Sequence, residues 1–113
     1  MFHRSPSGFM LDFPNGWTAS VQFGPGNYCE NKNKDRWTNY SIEFMESNTA
    51  EVAAWLTAYT NTRRYFTFED GQEVKGWQNT EAVMEFLNMI SNLDIKKPMV
   101  AKRPYDFDWG VDY

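Results

Sequence analysis

The sequence has very few of the residues that disulfide, metal and triad chemistry require. Among its 113 residues there is one cysteine, Cys29, and one histidine, His3. A single cysteine excludes an intrachain disulfide framework, and the chain contains no HExxH, CxxC, GxSxG or P-loop pattern. The sequence therefore contains no recognisable set of residues for metal-dependent hydrolysis or for a catalytic triad. We predict a protein that is not an enzyme and that uses no metal or cofactor.

The chain also lacks an excess of positive charge and a long apolar run. Eleven basic residues stand against 15 acidic ones, which gives a formal net charge of -4 and a pI near 4.9. Basic surfaces supply most of the affinity for nucleic acids and anionic membranes, so neither is expected as a partner. No apolar stretch approaches the roughly 18 residues of a membrane-spanning helix. Because no signal-peptide pattern is present either, we expect a cytoplasmic protein.

Aromatic residues, in contrast, are abundant. They make up 18% of the sequence and include five tryptophans and nine phenylalanines. Each aromatic side chain buries roughly 150–250 Å², so a chain of this length can form one domain with an aromatic core. We predict a single domain at residues 1–95 and a C-terminal tail at residues 96–113. Trp55 and Trp77 are predicted to be core residues, whereas His3 is expected in a frayed N-terminus.

The clearest local structure is a β-hairpin between residues 9 and 23. Apolar residues alternate with polar ones on both sides of Pro14-Asn15-Gly16, which is the period of strands with one buried face. A three-residue loop pairs Phe13 with Trp17 and keeps both apolar rows on one face, whereas a two-residue turn would separate them. We therefore predict the three-residue loop with Gly16 in the left-handed conformation. Gly16→Val is expected to destabilise more than Asn15→Ala.

The remaining patterns complete an α+β fold. Further strands are predicted at residues 40–44, 51–56, 65–68 and 74–77, and the last two flank an Asp70-Gly71 hairpin turn. A helix is predicted over residues 80–93, capped by Asn79 or Thr80. Its apolar side chains recur at steps of three and four residues and must face the sheet. The predicted fold is an antiparallel sheet of about five or six strands with one C-terminal helix packed on one face.

The connection that begins at Gly24-Pro25-Gly26-Asn27 is the first candidate binding segment. Successive N–H groups can hold an anion, and basic residues follow up to Arg36. Pro25 removes one donor, however, and no helix begins after the loop, so a plain exposed turn is favoured over an anion site. Cys29 has no base beside it in the sequence, which favours a buried or incidental thiol over a nucleophile.

Two further groups of residues are candidates for binding. Four aromatic residues and two arginines could stack against a planar anionic ligand, with core packing as the competing interpretation. They are Trp37, Trp55, Tyr59, Trp77, Arg63 and Arg64. The tail sequence YDFDWGVDY at 105–113 alternates aromatic and acidic residues, and it would either add a strand to the sheet or bind a partner. The candidate binding residues are Gly24, Gly26, Asn27, Tyr28, Lys32, Lys34, Arg36, Trp37, Arg63, Arg64, Tyr105, Phe107 and Trp109.

Two segments of the chain form a distinctive combination. The first is NGWTxSVQFGxGNYC at residues 15–29, and the second is VKGW at residues 74–77, followed by the predicted helix. Over residues 9–93 this combination resembles a group of small uncharacterised proteins found in bacteriophage genomes. The resemblance implies an accessory protein that binds a host protein or sequesters a ligand, and the leading interpretation is host-protein binding, for example as an inhibitor of a host factor or defence system.

The alternative function is the sequestration of a small anionic ligand or nucleotide. Such a protein would have a concave pocket in which basic and aromatic side chains converge. A protein-binding function predicts instead an exposed apolar patch or an exposed edge strand. The two interpretations therefore differ in the kind of surface that the fold should present.

Overall fold

The computed structural model describes residues 1–32, 46–59 and 64–93, and it confirms the α+β fold. Within these residues one antiparallel sheet of five strands is covered on one face by one α-helix, and a short 3₁₀ turn, Thr57–Tyr59, follows the fourth strand. The strands are β1 (Phe2–Ser5), β2 (Gly8–Asp12), β3 (Trp17–Gln22), β4 (Ala50–Leu56) and β5 (Lys75–Gln78), and the helix is α1 (Thr80–Ser91).

The five strands follow one another across the sheet in chain order. β1 at one edge was not predicted, and the expectation that His3 lies in a frayed terminus is wrong. The strand forms because a tight turn at Pro6-Ser7 folds it back onto β2, with Phe2 opposite Leu11 and His3 opposite Met10. Four residues carry too short an alternation to be recognised in the sequence, and pairing with a neighbouring strand supplies the missing stability.

The predicted hairpin between β2 and β3 is confirmed in its register. Leu11 pairs with Ala19, and the Phe13 N–H donates to the Trp17 carbonyl at 2.8 Å across the loop of residues 14–16. The Gly16 N–H donates to the Phe13 carbonyl at 3.1 Å, and Gly16 has a φ of 91°. The loop thus has the three residues and the left-handed glycine that the sequence predicts.

The second half of the sheet agrees only in part with the prediction. The strand expected at 51–56 is confirmed as β4, and the Asp70-Gly71 turn forms, with the Phe68 N–H donating to the Gln72 carbonyl at 2.8 Å. Residues 65–68 do not form a strand, because only Tyr65 makes a bridge, to Trp55. β5 pairs with β4 instead. Pairing with the long, buried β4 stabilises β5 better than a separate two-stranded ribbon with residues 65–68 would. The strand predicted at 40–44 and the tail lie outside the described residues.

The core lies between α1 and the sheet. The predicted apolar stripe of the helix is confirmed, with Phe86, Ile90 and Leu93 buried and Val83 and Leu87 partly buried. The helix packs mainly over β3, β4 and β5. Phe66 occupies the centre, because its ring lies edge-on to both Trp17 and Phe86, with centroids 6.4 and 6.2 Å away. On the same face of the sheet, α1 covers β1 and β2 less than it covers β3, β4 and β5.

The hairpin loop is attached to the far end of the helix by one side chain. The Asn15 amide nitrogen donates to the carbonyls of Ile90 at 2.8 Å and Leu93 at 3.0 Å. Its amide oxygen accepts from the Trp17 N–H at 3.2 Å. The Ile90 carbonyl also accepts from the Leu93 N–H at 3.2 Å, so Asn15 adds a second hydrogen bond there and joins the hairpin loop to the end of the helix.

Candidate functional site

The loop at residues 24–28, for which the sequence favours a plain turn over an anion site, donates to acceptors of the protein itself. The Gly24 N–H donates to the Asn27 side-chain oxygen at 2.9 Å, and the Tyr28 N–H donates to the Glu51 carboxylate at 2.8 Å. The Asn27 amide contacts the same carboxylate at 3.4 Å. Glu51 thus occupies the position in which an external anion would have to lie. The structure brings Gly24, Gly26, Asn27, Tyr28 and Lys32 into one loop, and the Lys32 ammonium lies 4.7 Å from the Tyr28 ring centroid.

The same connection is more buried than the sequence predicts. Cys29 and Asn31 are completely buried, so the expectation of an exposed segment is wrong for these residues, while the prediction of a buried thiol at Cys29 is confirmed. Asn31 holds the connection in place, because its amide nitrogen donates to the carbonyls of Phe23 at 2.8 Å and Glu46 at 3.0 Å. Those long-range acceptors explain why an asparagine is buried here.

The predicted stacking residues are not gathered into one pocket. Trp55 is buried as predicted, with its ring edge-on to Tyr65 at 5.8 Å. Arg64 lies 5.2 Å from the Tyr59 ring centroid, so these two candidates do meet. The prediction of a core position for Trp77 is wrong, because this side chain is 58% exposed. The candidates Lys34, Arg36, Trp37, Arg63, Tyr105, Phe107 and Trp109 lie outside the described residues.

The exposure of Trp77 has a backbone cause. Val52 pairs with Lys75 and Ala50 with Gln78, so the pairing of β4 with β5 contains a bulge between these positions. Trp77 adopts a φ of 57° in the bulge, a conformation that a bulky side chain rarely takes. Because a bulge interrupts the alternation of faces, the simple period of two no longer assigns this residue to the core.

A polar network on the sheet face opposite α1 connects β1, β2 and β3. His3 Nε2 lies 2.8 Å from one carboxylate oxygen of Asp12, and the Thr18 hydroxyl lies 2.8 Å from the other. The Thr18 hydroxyl also contacts the Thr57 hydroxyl at 2.6 Å. Burial raises the pKa of Asp12, but the hydrogen bonds with His3 and Thr18 and the nearby positive charges outweigh it and hold the pKa below its ordinary value of 3.8.

The lowered pKa of Asp12 predicts a stability contribution that is lost in acid. A carboxylate with a lowered pKa in the folded state stabilises fully above its unfolded value, and the contribution disappears as the pH falls through the folded value. Asp12→Asn should therefore be less stable than the wild type above pH 3.8, and the difference should shrink below it. Urea denaturation of both proteins over this range measures the difference. A difference that stays constant into acid would contradict the assignment.

The surface formed by β1 and β2 is the most exposed apolar feature of the described residues. Phe2 pairs with Leu11, and Phe9 with Val21, so Phe2, Phe9 and Leu11 lie on the face that α1 partly covers. Phe2 is 85% exposed, and Phe9 and Leu11 are partly exposed. We call these three side chains and the outer edge of β1 the β1–β2 surface. Sequence reasoning missed it because β1 itself was not predicted.

The backbone of β1 offers hydrogen-bonding groups at the outer edge. Met1 and Asp12 exchange two backbone hydrogen bonds at 2.8 Å, which makes them a hydrogen-bonded pair of the antiparallel ladder. Such pairs alternate with non-hydrogen-bonded ones, so His3 bonds to β2 whereas Phe2 and Arg4 direct their N–H and C=O groups outward. β1 is an edge strand among the described residues.

An apolar groove adjoins the β1–β2 surface. It has a volume of about 400 Å³ and lies between the sheet and the first turns of α1. Phe9, Val21 and Phe23 line it on the sheet side, and Val83 and Met84 line it on the helix side. Met84 is 64% exposed, so the apolar surface continues from Phe9 of β2 across the groove onto the helix.

Comparison with protein-family models, with curated proteins and with solved structures finds no match to this chain in any of the three. Among the described residues no helix is long and apolar enough to cross a membrane. In the same part of the chain no three His, Cys, Asp or Glu side chains come together as a metal site would require.

Proposed function

We propose that this chain is a noncatalytic binding protein that engages another protein through the β1–β2 surface. The observation that carries this proposal is the exposure of Phe2 on an edge strand of the described sheet. Soluble domains usually shield an edge strand with charge, proline or a covering segment. A contiguous apolar surface, here Phe2 with the partly exposed Phe9 and Leu11 beside it, is typical of a surface that a partner covers.

The geometry favours a partner segment that adds a strand to the sheet. The outward N–H and C=O groups of Phe2 and Arg4 can form a backbone ladder with an extended peptide, as in other complexes formed by strand addition. Phe2, which is 85% exposed on the edge strand, supplies a side-chain contact on one face of the added strand. Backbone pairing then contributes affinity, and the apolar face contributes specificity.

The resemblance to bacteriophage proteins supports a host protein as the partner and a role as a phage accessory protein or inhibitor. The loop from Gly24 to Lys32 gives less support to an anion-binding function, because Glu51 already accepts from its N–H groups. Protein binding is therefore the function that we propose.

The experiment uses two variants with matched controls in affinity capture from a host lysate. Phe2→Ser should abolish recovery of the partner, whereas Trp77→Ser, which alters an exposed aromatic residue at the opposite edge of the sheet, should not. Arg4→Pro removes an outward N–H without breaking the bonds to β2, and it should also abolish capture. Arg4→Ala, which removes the same charge and retains the N–H, should preserve most of it.

Capture that is insensitive to both Phe2→Ser and Arg4→Pro would overturn the proposal, as would the failure of the wild-type protein to retain any host protein. Equal losses in Arg4→Pro and Arg4→Ala would contradict strand addition and assign the effect to the guanidinium. Thermal melting of all four variants checks that the folded state is retained.

A further inference from the structure

A second and larger groove lies on the other side of α1, away from the β1–β2 surface. It has a volume of about 680 Å³ and is enclosed by α1, by the segment of residues 66–70, and by Lys75 and Gln78 of β5. Ligand pockets typically have volumes of about 300–1,000 Å³, so this groove is large enough for a small molecule or a long side chain. The proposed function does not use it. We call it the α1–β5 groove.

The wall of the α1–β5 groove is aromatic. Phe68 and Phe86 stack with their centroids 5.6 Å apart, and Phe66 lies edge-on to Phe68 at 5.2 Å. Phe68 is partly exposed, and the Lys75 ammonium lies 5.5 Å from its ring centroid. An ammonium at this distance is attracted by the negative face of the ring. The groove therefore already holds one cation from the chain itself.

The charged side chains around the groove are mainly negative. Glu69, Asp70 and Glu85 line it and are all exposed, whereas Lys75 is the only basic residue among the described residues that line it. Three carboxylates around an aromatic wall favour a ligand with a positive group and an apolar body. An anionic ligand would meet repulsion from the same carboxylates.

Thr67 provides a second and independent observation about the groove. This residue lines the groove, is only 4% exposed, and its hydroxyl has no hydrogen-bond partner among the described residues. A buried polar group without a partner costs free energy, so native proteins keep few of them, and those that remain call for a specific explanation. A hydrogen-bond donor on a bound ligand would satisfy the Thr67 oxygen.

We propose that the α1–β5 groove binds an organic cation, namely an ammonium or guanidinium group carried on an apolar chain. The charged group lies beside one of the carboxylates that line the groove, those of Glu69, Asp70 and Glu85, and the Thr67 side chain turns toward it so that the hydroxyl accepts a hydrogen bond. The apolar chain packs against Phe68 and Phe86. This chemistry is found in free polyamines and in the basic side chains of proteins, and the probes below distinguish the two sources.

Isothermal titration with spermidine and with a blocked lysine peptide tests the proposal. Glu85→Gln should weaken binding of the effective probe about two- to fivefold, which is the range for one partly exposed charge pair. Glu81→Gln makes the same change on the same helix at an exposed position outside the groove, and it should leave binding unchanged. Lys75→Met should strengthen binding, because it removes a competing cation from the face of Phe68.

Thr67→Val provides a readout that separates binding from folding. The substitution removes the unpartnered hydroxyl at almost constant volume, so the melting temperature should stay the same or rise while probe binding weakens. Binding of spermidine alone supports a free polyamine as the ligand, and binding of the peptide alone supports a basic side chain of a partner.

The proposal fails if the wild-type protein binds neither probe at millimolar concentration. It also fails if Glu81→Gln weakens binding as much as Glu85→Gln does, since the attraction would then belong to the overall negative charge. Stronger binding of the effective probe in Glu85→Gln, or weaker binding in Lys75→Met, would contradict the roles of these two side chains and overturn the proposal. None of these results would affect the β1–β2 surface, whose test uses different residues.

Discussion

Trp17→Ala should lower the free energy of unfolding by about 3–5 kcal/mol, the range for removal of a large buried aromatic side chain. Trp17 is completely buried at the start of β3 and contacts the ring of Phe66 in the centre of the core. Truncation to alanine leaves a cavity between the sheet and α1 that the surrounding strands cannot close. Chemical denaturation of the variant and the wild type gives the difference directly.

Trp77→Ala is the matched control for this prediction. It makes the same chemical change at a side chain that is mostly exposed, so its cost should be a small fraction of that for Trp17. Trp17→Phe adds a second comparison, because the Trp17 indole N–H is buried without a hydrogen-bond partner among the described residues. Phenylalanine removes that unpaired donor and should recover much of the loss. Equal losses at Trp17 and Trp77 would contradict the placement of the core.

Asn15→Ala should cost about 1–3 kcal/mol, because it removes the hydrogen bond to the Leu93 carbonyl and one of those that the Ile90 carbonyl accepts. The structure thus makes this residue much more sensitive than its place in a turn suggests. Asn15→Asp retains the oxygen that accepts from the Trp17 N–H but replaces the donating amide by a carboxylate facing two carbonyls. It should destabilise at least as strongly, since negative charge is unfavourable at the C-terminus of a helix.

Asn92→Ala is the control for the Asn15 variants. Asn92 is also close to the end of α1, but it is exposed and bonds only to neighbouring residues such as Asn88. Its loss should change stability by no more than about 0.5 kcal/mol, as is usual for surface substitutions. Asn15→Ala and Asn92→Ala are compared by thermal and chemical denaturation. An equally small loss in both variants would show that the hydrogen bonds between Asn15 and the helix end do not stabilise the folded state.

The sequence by itself determined the elements whose signals are local. The three-residue loop of the first hairpin follows from Pro14-Asn15-Gly16 and from the requirement that both apolar rows share one face. The helix follows from a cap at Asn79 or Thr80 and an apolar stripe that includes Phe86 and Ile90; the structure confirms the stripe and places the cap at Asn79. In these cases backbone preference and hydrophobic period agree within a few neighbouring residues, so no distant contact was needed to recognise them.

Only the tertiary structure decided the features that depend on residues far apart in the chain. β1 exists because β2 is available to pair with it, and β5 pairs with β4 rather than with residues 65–68. The exposure of Trp77 follows from a bulge in that pairing, and the role of Asn15 follows from a helix end more than 70 residues away. Both proposed sites arise in the same way, because one helix covers part of a sheet and leaves surfaces on either side of it. Periodicity reports which face of an element is apolar, but it contains no information about how far a neighbouring element covers that face.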